Sequence, residues 1–326
     1  MKKWYNIKKD RKGALTLSKN KTATFFAILA AALYAINVPI SKILLANVSP
    51  TMLAGFLYLG AGVGIGILLG IKKTQNKLTD EKWLNINDLP YTIAMVVLDI
   101  AAPIFLMFGI ANTNSANVSL INNFEIVATS VIALLIFKEK ISKRLWIAIV
   151  LVLLSSVILS FEGMEALALN KGSMFVLCAC ICWGIENNCT RSISDKSSEE
   201  IVLIKGIFSG IGSIVIAFII GEHLPEILYI LAVMLLGFVA YGLSINFYIM
   251  AQKNLGAAKT SAFYSIAPFL GVGFSFIILG ERPTVKFYIA LGIMIISTLI
   301  MIKDTLGNEK IYNGYVHTHQ HKHGKV

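Results

Sequence analysis

Long apolar stretches alternate with short polar connections along almost the whole chain. Each stretch holds about 20 apolar residues, enough for a helix to cross a bilayer core roughly 30 Å thick. Within lipid a segment must satisfy its own backbone hydrogen bonds, and continuously apolar segments do so as helices rather than as barrel strands. The pattern therefore predicts an all-α membrane protein with ten transmembrane helices. Their approximate bounds are 22–45, 50–71, 90–111, 115–137, 143–160, 172–193, 201–220, 227–250, 256–279 and 285–302.

Composition and charge distribution favour a multi-pass protein of the plasma membrane. Of 326 residues, 56% are hydrophobic and 14% are charged, whereas soluble proteins carry about 25% charged residues. The net charge of +11 would suit nucleic acid, but the basic residues lie in short connections and at both ends rather than on one polar face. If the N-terminus is cytoplasmic, 24 Lys and Arg residues fall on the cytoplasmic side and 3 on the other. This bias predicts that both termini are cytoplasmic.

The two halves of the chain carry similar residues in register. The matched runs are Tyr34-x-x-Asn37-x-Pro39-x-x-Lys42 and Trp183-x-x-Glu186-x-Asn188-x-x-Arg191, at an offset of 149 residues. Because each half would hold an odd number of helices, the second must run inverted relative to the first, as in many secondary transporters. We therefore expect a basic cytoplasmic arm, a first five-helix repeat, an outer loop, a second five-helix repeat and a cytoplasmic tail. In chain order these parts comprise residues 1–21, 22–160, 161–171, 172–302 and 303–326.

In these residues the sequence resembles the EamA-type carriers of the drug/metabolite transporter superfamily. The resemblance rests on the aromatic-x-x-Asn-x-Pro-x-x-Lys run that ends the first helix, on its counterpart in the sixth, and on Pro268 followed thirteen residues later by Glu281. It covers about residues 22–302. The first half of the sequence departs from the family pattern, because Ile126, preceded by Glu125, stands where the second half has Pro268. The resemblance implies a bundle of ten helices and transport of an organic metabolite, often outward, without ATP hydrolysis.

Three acidic residues are predicted to lie within the bilayer, where an ionised side chain costs at least a few kcal/mol and needs a reason. Asp99 lies about halfway along the third helix, Glu125 about halfway along the fourth, and Glu186 in the inner half of the sixth. Either these acids bind a solute amine or exchange a proton, or they pair with Lys or Arg, for example Glu186 with Lys205 or Arg191, and hold helices together. Asn122 shares the helical face of Glu125 at the i−3 position. Lys205, near the inner end of the seventh helix, is expected to extend its ammonium group to the interface.

Other polar and aromatic side chains are candidates for the same solute site. They are Asn37, Asn188, Tyr34 and Trp183. Amide groups can donate and accept hydrogen bonds, and rings can stack on a ring-bearing solute, although both residue types also serve packing. Pro39, Pro103 and Pro268 lack a backbone donor and each predicts a kink or a break, a feature that recurs at substrate sites of carriers.

The tail reads His317-x-His319-x-His321-x-His323, and imidazole groups suit Zn, Ni and Cu. One alternative function is therefore a metal-cation carrier that uses this tract. The competing interpretation is a solvated tail that binds no metal.

A membrane-embedded lipid-modifying enzyme is a second alternative. The chain contains no Walker-type lysine loop, no His-Glu-x-x-His and no Gly-x-Ser-x-Gly, which argues against an ATP-driven pump and the commonest hydrolases. The main prediction is a secondary transporter of an amino acid or drug-like solute, without cofactor, that exports its solute in exchange for protons.

Overall fold

The computed structural model describes residues 21–75, 82–137, 142–160, 170–193, 196–255, 260 and 263–322. In this part of the chain every regular element is a helix, as the sequence predicts. A 3₁₀ turn, Ile86–Asp88, precedes the helix that begins at Leu89, and the helix that begins at Val285 continues to Lys322. The helices are α1 Lys21–Leu44, α2 Pro50–Thr74, α3 Leu89–Asn112, α4 Ser115–Ile136, α5 Lys143–Ser160, α6 Lys171–Ser192, α7 Ser198–Ile219, α8 Ile227–Tyr248, α9 Ala267–Leu279 and α10 Val285–Lys303.

Seven of the described helices are long and apolar enough to cross a membrane, namely α1 to α4, α7, α8 and α10. The side chains on their outer surfaces are apolar and exposed, as with Leu135 at 72% and Leu228 at 71%. Such surfaces suit lipid, since lipid tails are themselves apolar. α9 has 13 residues, and α6 carries charged and amide side chains near its C-terminal end. The predicted total of ten spanning helices therefore stays a prediction for α5, α6 and α9.

Several of these helices are interrupted inside the bundle. α1 breaks at Ile36, where the ring of Pro39 removes the hydrogen bond that would reach the carbonyl of Ala35. α4 breaks at the turn of residues 122–123, which contains no proline, whereas α3 runs through Pro103 without a break. α7 and α8 each contain a π-helical segment, Lys205–Ser209 and Phe238–Leu243, and such segments are frequent at functional sites. The prolines therefore predicted the break in α1 and the turn at residues 265–266, after which α9 begins with Pro268 in its first turn, but not the other irregularities.

α2 packs closely against α7 and α8 because glycines lie where the helices cross, and at the crossing with α7 two glycines face each other. A Cβ at Gly206 of α7 would stand 2.5 Å from the Cα of Gly62 in α2. Small residues at such crossings let two backbones approach within a distance that any side chain would prevent. Because Lys205 is adjacent to Gly206 in the chain, the close contact of α7 with α2 places Lys205 near the interior of the bundle.

Carboxylates join the two halves of the chain at one end of the bundle. Glu222, after α7, accepts hydrogen bonds from the backbone N–H groups of Thr51 and Met52 at 3.2 and 2.8 Å. Glu281, after α9, accepts from the first two N–H groups of α4 at 2.8 and 2.9 Å. The first N–H groups of a helix have no partner within the helix, so each carboxylate satisfies donors that would otherwise be unpaired.

Ion pairs join the halves at the opposite end. Lys72 Nζ of α2 lies 2.6 Å from Glu199 Oε1 of α7. Lys196 Nζ lies 3.3 Å from Asp88 Oδ2, at the turn before α3. These contacts bring α2, α3 and α7 together around the interior site.

Candidate functional site

A lysine and two carboxylates form the centre of the bundle interior. Lys205 Nζ of α7 lies 3.0 Å from Asp99 Oδ2 of α3 and 3.1 Å from Glu186 Oε1 of α6. The side chain of Asp99 is 0% exposed and that of Glu186 is 3% exposed, whereas Lys205 retains 14%. We call these three residues the charge cluster. With all three groups ionised, the cluster carries one more negative than positive charge.

Neutral donors hold both carboxylates of the charge cluster in place. The Tyr58 hydroxyl donates to Asp99 Oδ1 at 2.9 Å, and Trp183 Nε1 donates to that hydroxyl at 3.4 Å. The Thr190 hydroxyl donates to Glu186 Oε1, the oxygen that also faces Lys205. A buried carboxylate with several partners stays oriented, because turning it would leave polar groups unpaired. The acids therefore occupy fixed positions on the wall of the interior.

Glu125 lies in a second polar group, on the α4 side of α6. Asn187 Nδ2 donates to Glu125 Oε1 at 2.8 Å and lies 3.2 Å from the Thr129 hydroxyl. Asn188 Nδ2 donates to the carbonyl of Thr129 at 3.1 Å and fixes α6 against α4. Glu125 is partly buried, and among the described residues its side-chain hydrogen-bond partner is an amide rather than a cation. This carboxyl thus differs from the acids of the charge cluster.

Tyrosines from several helices form an aromatic wall beside the carboxylates. We define this aromatic wall as Tyr34, Tyr58, Tyr241 and Tyr264. The ring centroids of Tyr34 lie 5.9 Å from Tyr241 and 6.0 Å from Tyr264, and Tyr58 lies 5.4 Å from Tyr241. Asn37 Nδ2 donates to the Tyr241 hydroxyl at 3.1 Å, just after the break in α1. The wall therefore presents ring faces and hydroxyl groups next to the acids.

The irregular helix turns carry residues of the site. Lys205 begins the π-helical segment of α7, and Tyr241 lies within that of α8. Glu125 follows the break in α4, and Asn37 follows the break in α1. The irregular turns thus lie next to residues that contact one another in the interior of the bundle.

The predicted site residues meet in neighbouring groups. Asp99 and Glu186 belong to the charge cluster, and Trp183 donates to the Tyr58 hydroxyl that bonds to Asp99. Glu125 and Asn188 join α4 to α6, and Tyr34 and Asn37 meet at the aromatic wall. Asn122 lies farther along, with its Oδ1 3.9 Å from Cys180 Sγ. Their roles in binding or coupling stay predictions.

Sequence reasoning missed Tyr58, and for Lys205 it favoured the interface although it also offered the pairing with Glu186 that the structure shows. The ammonium group of Lys205 does not extend to the interface as expected but turns inward between two acids. The signal for it was the presence of two interior acids, since charges inside a membrane protein pair with each other. Tyr58 carried no distinguishing signal in the sequence, because tyrosine is common in apolar helices.

A metal centre finds no support in the described residues. Among them, no group of three or more His, Cys, Asp or Glu side chains could hold a metal ion. The predicted metal ligands His317, His319, His321 and His323 lie outside the side chains that the structure describes.

An apolar exterior around a buried, charged interior defines a multi-pass membrane protein. The chain belongs to the EamA-like transporter family, whose profile matches residues 21–161 and 170–303. Members of this family are transporters, which argues against an enzyme.

Individual relatives agree with this assignment. An uncharacterized transporter of Methanothermobacter thermautotrophicus is 27% identical over 282 residues, which are 80% of this chain and 78% of that protein. The uncharacterized transporter YyaM of Bacillus subtilis is 24% identical over 243 residues, 70% of this chain and 76% of that protein. A protein of known crystal structure shares the fold with a TM-score of 0.62 at 14% identity, over 85% of this chain and 94% of the other.

Proposed function

We propose that this transporter carries a small organic solute with a cationic group, such as an amino acid or a drug-like amine, and exchanges it for protons. The charge cluster carries the proposal. Asp99 and Glu186 share one ammonium group, and both are almost completely buried. A second positive charge at these carboxylates would remove the remaining negative charge from the low-dielectric interior. Either a solute ammonium group or a proton can supply that charge.

The aromatic wall supports a solute that also has an apolar or ring-bearing part. Tyr58 belongs to the wall and donates to Asp99 at 2.9 Å, so the aromatic wall lies in direct contact with the carboxylates. A cation near tyrosine faces gains from the ring quadrupole in addition to the carboxylate, and a solute ring can stack there. Recognition of amine and ring together would separate such solutes from simple inorganic cations.

Glu125 is the proposed site of proton exchange. Its described side-chain partner, Asn187, is neutral, so Glu125 can gain or lose a proton without breaking an ion pair. Burial disfavours the charged form of a carboxyl, and an arriving solute cation favours it. Proton release would then accompany solute binding, and proton uptake would accompany solute release.

The same exchange gives the direction of transport. A proton gradient directed into the cell would drive the solute outward. We place the protein in the plasma membrane with both termini in the cytoplasm, because of the excess of Lys and Arg in the connections assigned to that side. Two inverted five-helix repeats would provide the alternating access that a carrier requires.

The test is solute uptake by the full-length protein in liposomes with an imposed pH gradient. Radiolabelled lysine, phenylalanine, benzylammonium and glucose form the panel. We expect an amine-bearing solute to accumulate against its gradient when protons flow the other way, and glucose not to be transported. Transport of glucose alone, or transport of an amine that ignores the pH gradient, would contradict the proposal.

The same assay on the Asp99→Asn variant tests whether the charge cluster is needed for transport. The amide keeps the size and the acceptor for the Tyr58 hydroxyl but removes the charge that faces Lys205. We expect this variant to insert normally and to lose transport of the amine. Lys72→Gln, which alters an ion pair at the end of the bundle, is the control and should transport at the wild-type rate.

A further inference from the structure

Lys205 occupies the position that a solute cation would take in the charge cluster. Its ammonium group contacts both carboxylates, at 3.0 and 3.1 Å. A lysine side chain ends in a compact point charge on a flexible four-carbon stem, so it can move away from either acid without a change in the backbone. The Lys205 side chain is also the most exposed of the three, at 14% against 0% and 3%. Of the cluster, it is therefore the member free to move.

We infer that Lys205 is an internal competitor of the solute, which must displace the lysine ammonium group from one carboxylate in order to bind. This inference rests on the proposed function and adds a specificity-determining residue to it. Only a solute that brings its own positive charge can replace the lysine, because a neutral solute would leave a buried carboxylate unpaired. The lysine also limits affinity, since every bound solute pays for one broken ion pair. A carrier needs such a limit in order to release what it binds.

Several other titratable groups surround the cluster and have to be considered in its charge balance. They are Tyr58 on α2, Glu125 on α4, Cys189 on α6 and Tyr241 on α8. Tyrosine and cysteine are neutral near pH 7 in their ordinary state, and Glu125 bonds to Asn187 rather than to Lys205. Lys205 thus brings a positive charge into direct contact with both acids.

Counting charges gives an ordered set of variants. Wild type has two acids and one base in the cluster, for a net charge of −1 when all are ionised. Lys205→Gln raises the negative charge and removes the competitor, Asp99→Asn leaves a neutral pair, and the double variant restores the wild-type charge without a competitor. If Lys205 competes with the solute, affinity for a cation should be highest for Lys205→Gln and lowest for Asp99→Asn. Removal of Lys205 by itself raises cation affinity through charge. If Lys205 only links helices, the double variant, which has the wild-type charge, should therefore bind as wild type does.

The experiment measures binding of radiolabelled benzylammonium to the purified full-length protein by equilibrium dialysis at pH 8. We expect Lys205→Gln to bind at least about tenfold more tightly than wild type, which corresponds to roughly 1.4 kcal/mol. Asp99→Asn should bind at least about tenfold more weakly, and the double variant should bind more tightly than wild type although both have the same net charge. Lys72→Gln, which removes a lysine from an ion pair outside the cluster, should bind as wild type does. Benzyl alcohol in excess should not displace the label.

The outcomes separate this inference from the proposed function. Unchanged or weaker binding by Lys205→Gln, in protein that unfolds cooperatively, would overturn the role of Lys205 and leave the cation site intact. Absence of binding by all variants would overturn both. If Lys205→Gln alone does not fold, the comparison of wild type with the double variant decides, because these two have the same net charge. Equal affinity of that pair would overturn the inference.

Discussion

Replacing Glu125 by glutamine tests whether this carboxyl exchanges a proton or only holds α4 and α6 together. Glutamine keeps the volume of the side chain and an oxygen that can accept the 2.8 Å hydrogen bond from Asn187. It cannot ionise or exchange a proton near neutral pH. The packing of α4 against α6 is also preserved, because Asn188 still donates to the carbonyl of Thr129. The change is therefore confined to charge and protonation.

The contacts of Glu125 set the expected size of the effect on stability. A hydrogen bond to a charged group contributes about 1.5–3 kcal/mol, and one between neutral groups about 0.5–1.5 kcal/mol. Exchange of one bond type for the other at Asn187 should thus cost about 1 kcal/mol of unfolding free energy. The effect on transport should be much larger. One pH unit is worth about 1.4 kcal/mol per proton, so exchange of one proton for one solute supports about tenfold accumulation.

The assay is accumulation of the transported amine in liposomes with an imposed gradient of one pH unit. Wild type should approach tenfold accumulation, to order of magnitude, whereas Glu125→Gln should equilibrate the solute without accumulating it. Exchange of labelled for unlabelled solute should persist, because this exchange needs no proton. The matched control is Glu199→Gln, which neutralises a buried acid paired with Lys72 outside the site and should accumulate as wild type does. Full, normally pH-dependent accumulation by well-folded Glu125→Gln would refute the reasoning and direct attention to Asp99.

Further predictions concern packing, the ends of the helices and orientation. Gly206→Leu should lower the free energy of unfolding by about 1–3 kcal/mol in a denaturation experiment, since a Cβ there meets the backbone of α2; Gly292→Ala, which meets nothing within 4 Å, should change it by less than about 0.5 kcal/mol, and similar losses would contradict the packing argument. Glu281→Ala should cost about 1–3 kcal/mol, because two N–H groups at the start of α4 lose their acceptor; an unchanged thermal midpoint would show that water replaces the carboxylate. In a variant without the native cysteines, cysteine at Glu165 should react with an impermeant reagent from outside the cell and cysteine at Lys140 only from inside; equal reaction at both faces would reject the assigned orientation.

Much of the fold follows from hydropathy, because the cost of exposing backbone polar groups to lipid leaves few alternatives to the helix. The predicted segments 22–45 and 50–71 correspond to helices Lys21–Leu44 and Pro50–Thr74, with small shifts at their ends. The interruptions were harder to predict. Pro39 indicated the break in α1. The break in α4 at residues 122–123 and the π-helical turns of α7 and α8 contain no proline that could have predicted them. Such irregularities depend on the neighbouring helices that satisfy the freed backbone groups.

The sequence by itself determined that this is a helical membrane protein related to EamA-type carriers, and that its interior contains acidic residues at Asp99, Glu125 and Glu186. Hydropathy and the cost of a charge in lipid are enough for the helices and the interior acids, whereas the resemblance to the family rests on the residues that the two halves share in register. Only the tertiary structure decided which acids share a partner, placing Lys205 between Asp99 and Glu186 and pairing Glu125 with Asn187. The physical reason is that a contact between helices depends on the rotation and relative depth of each helix. Packing at close crossings such as that of Gly62 and Gly206 sets both, and the apolar pattern along the chain does not record them.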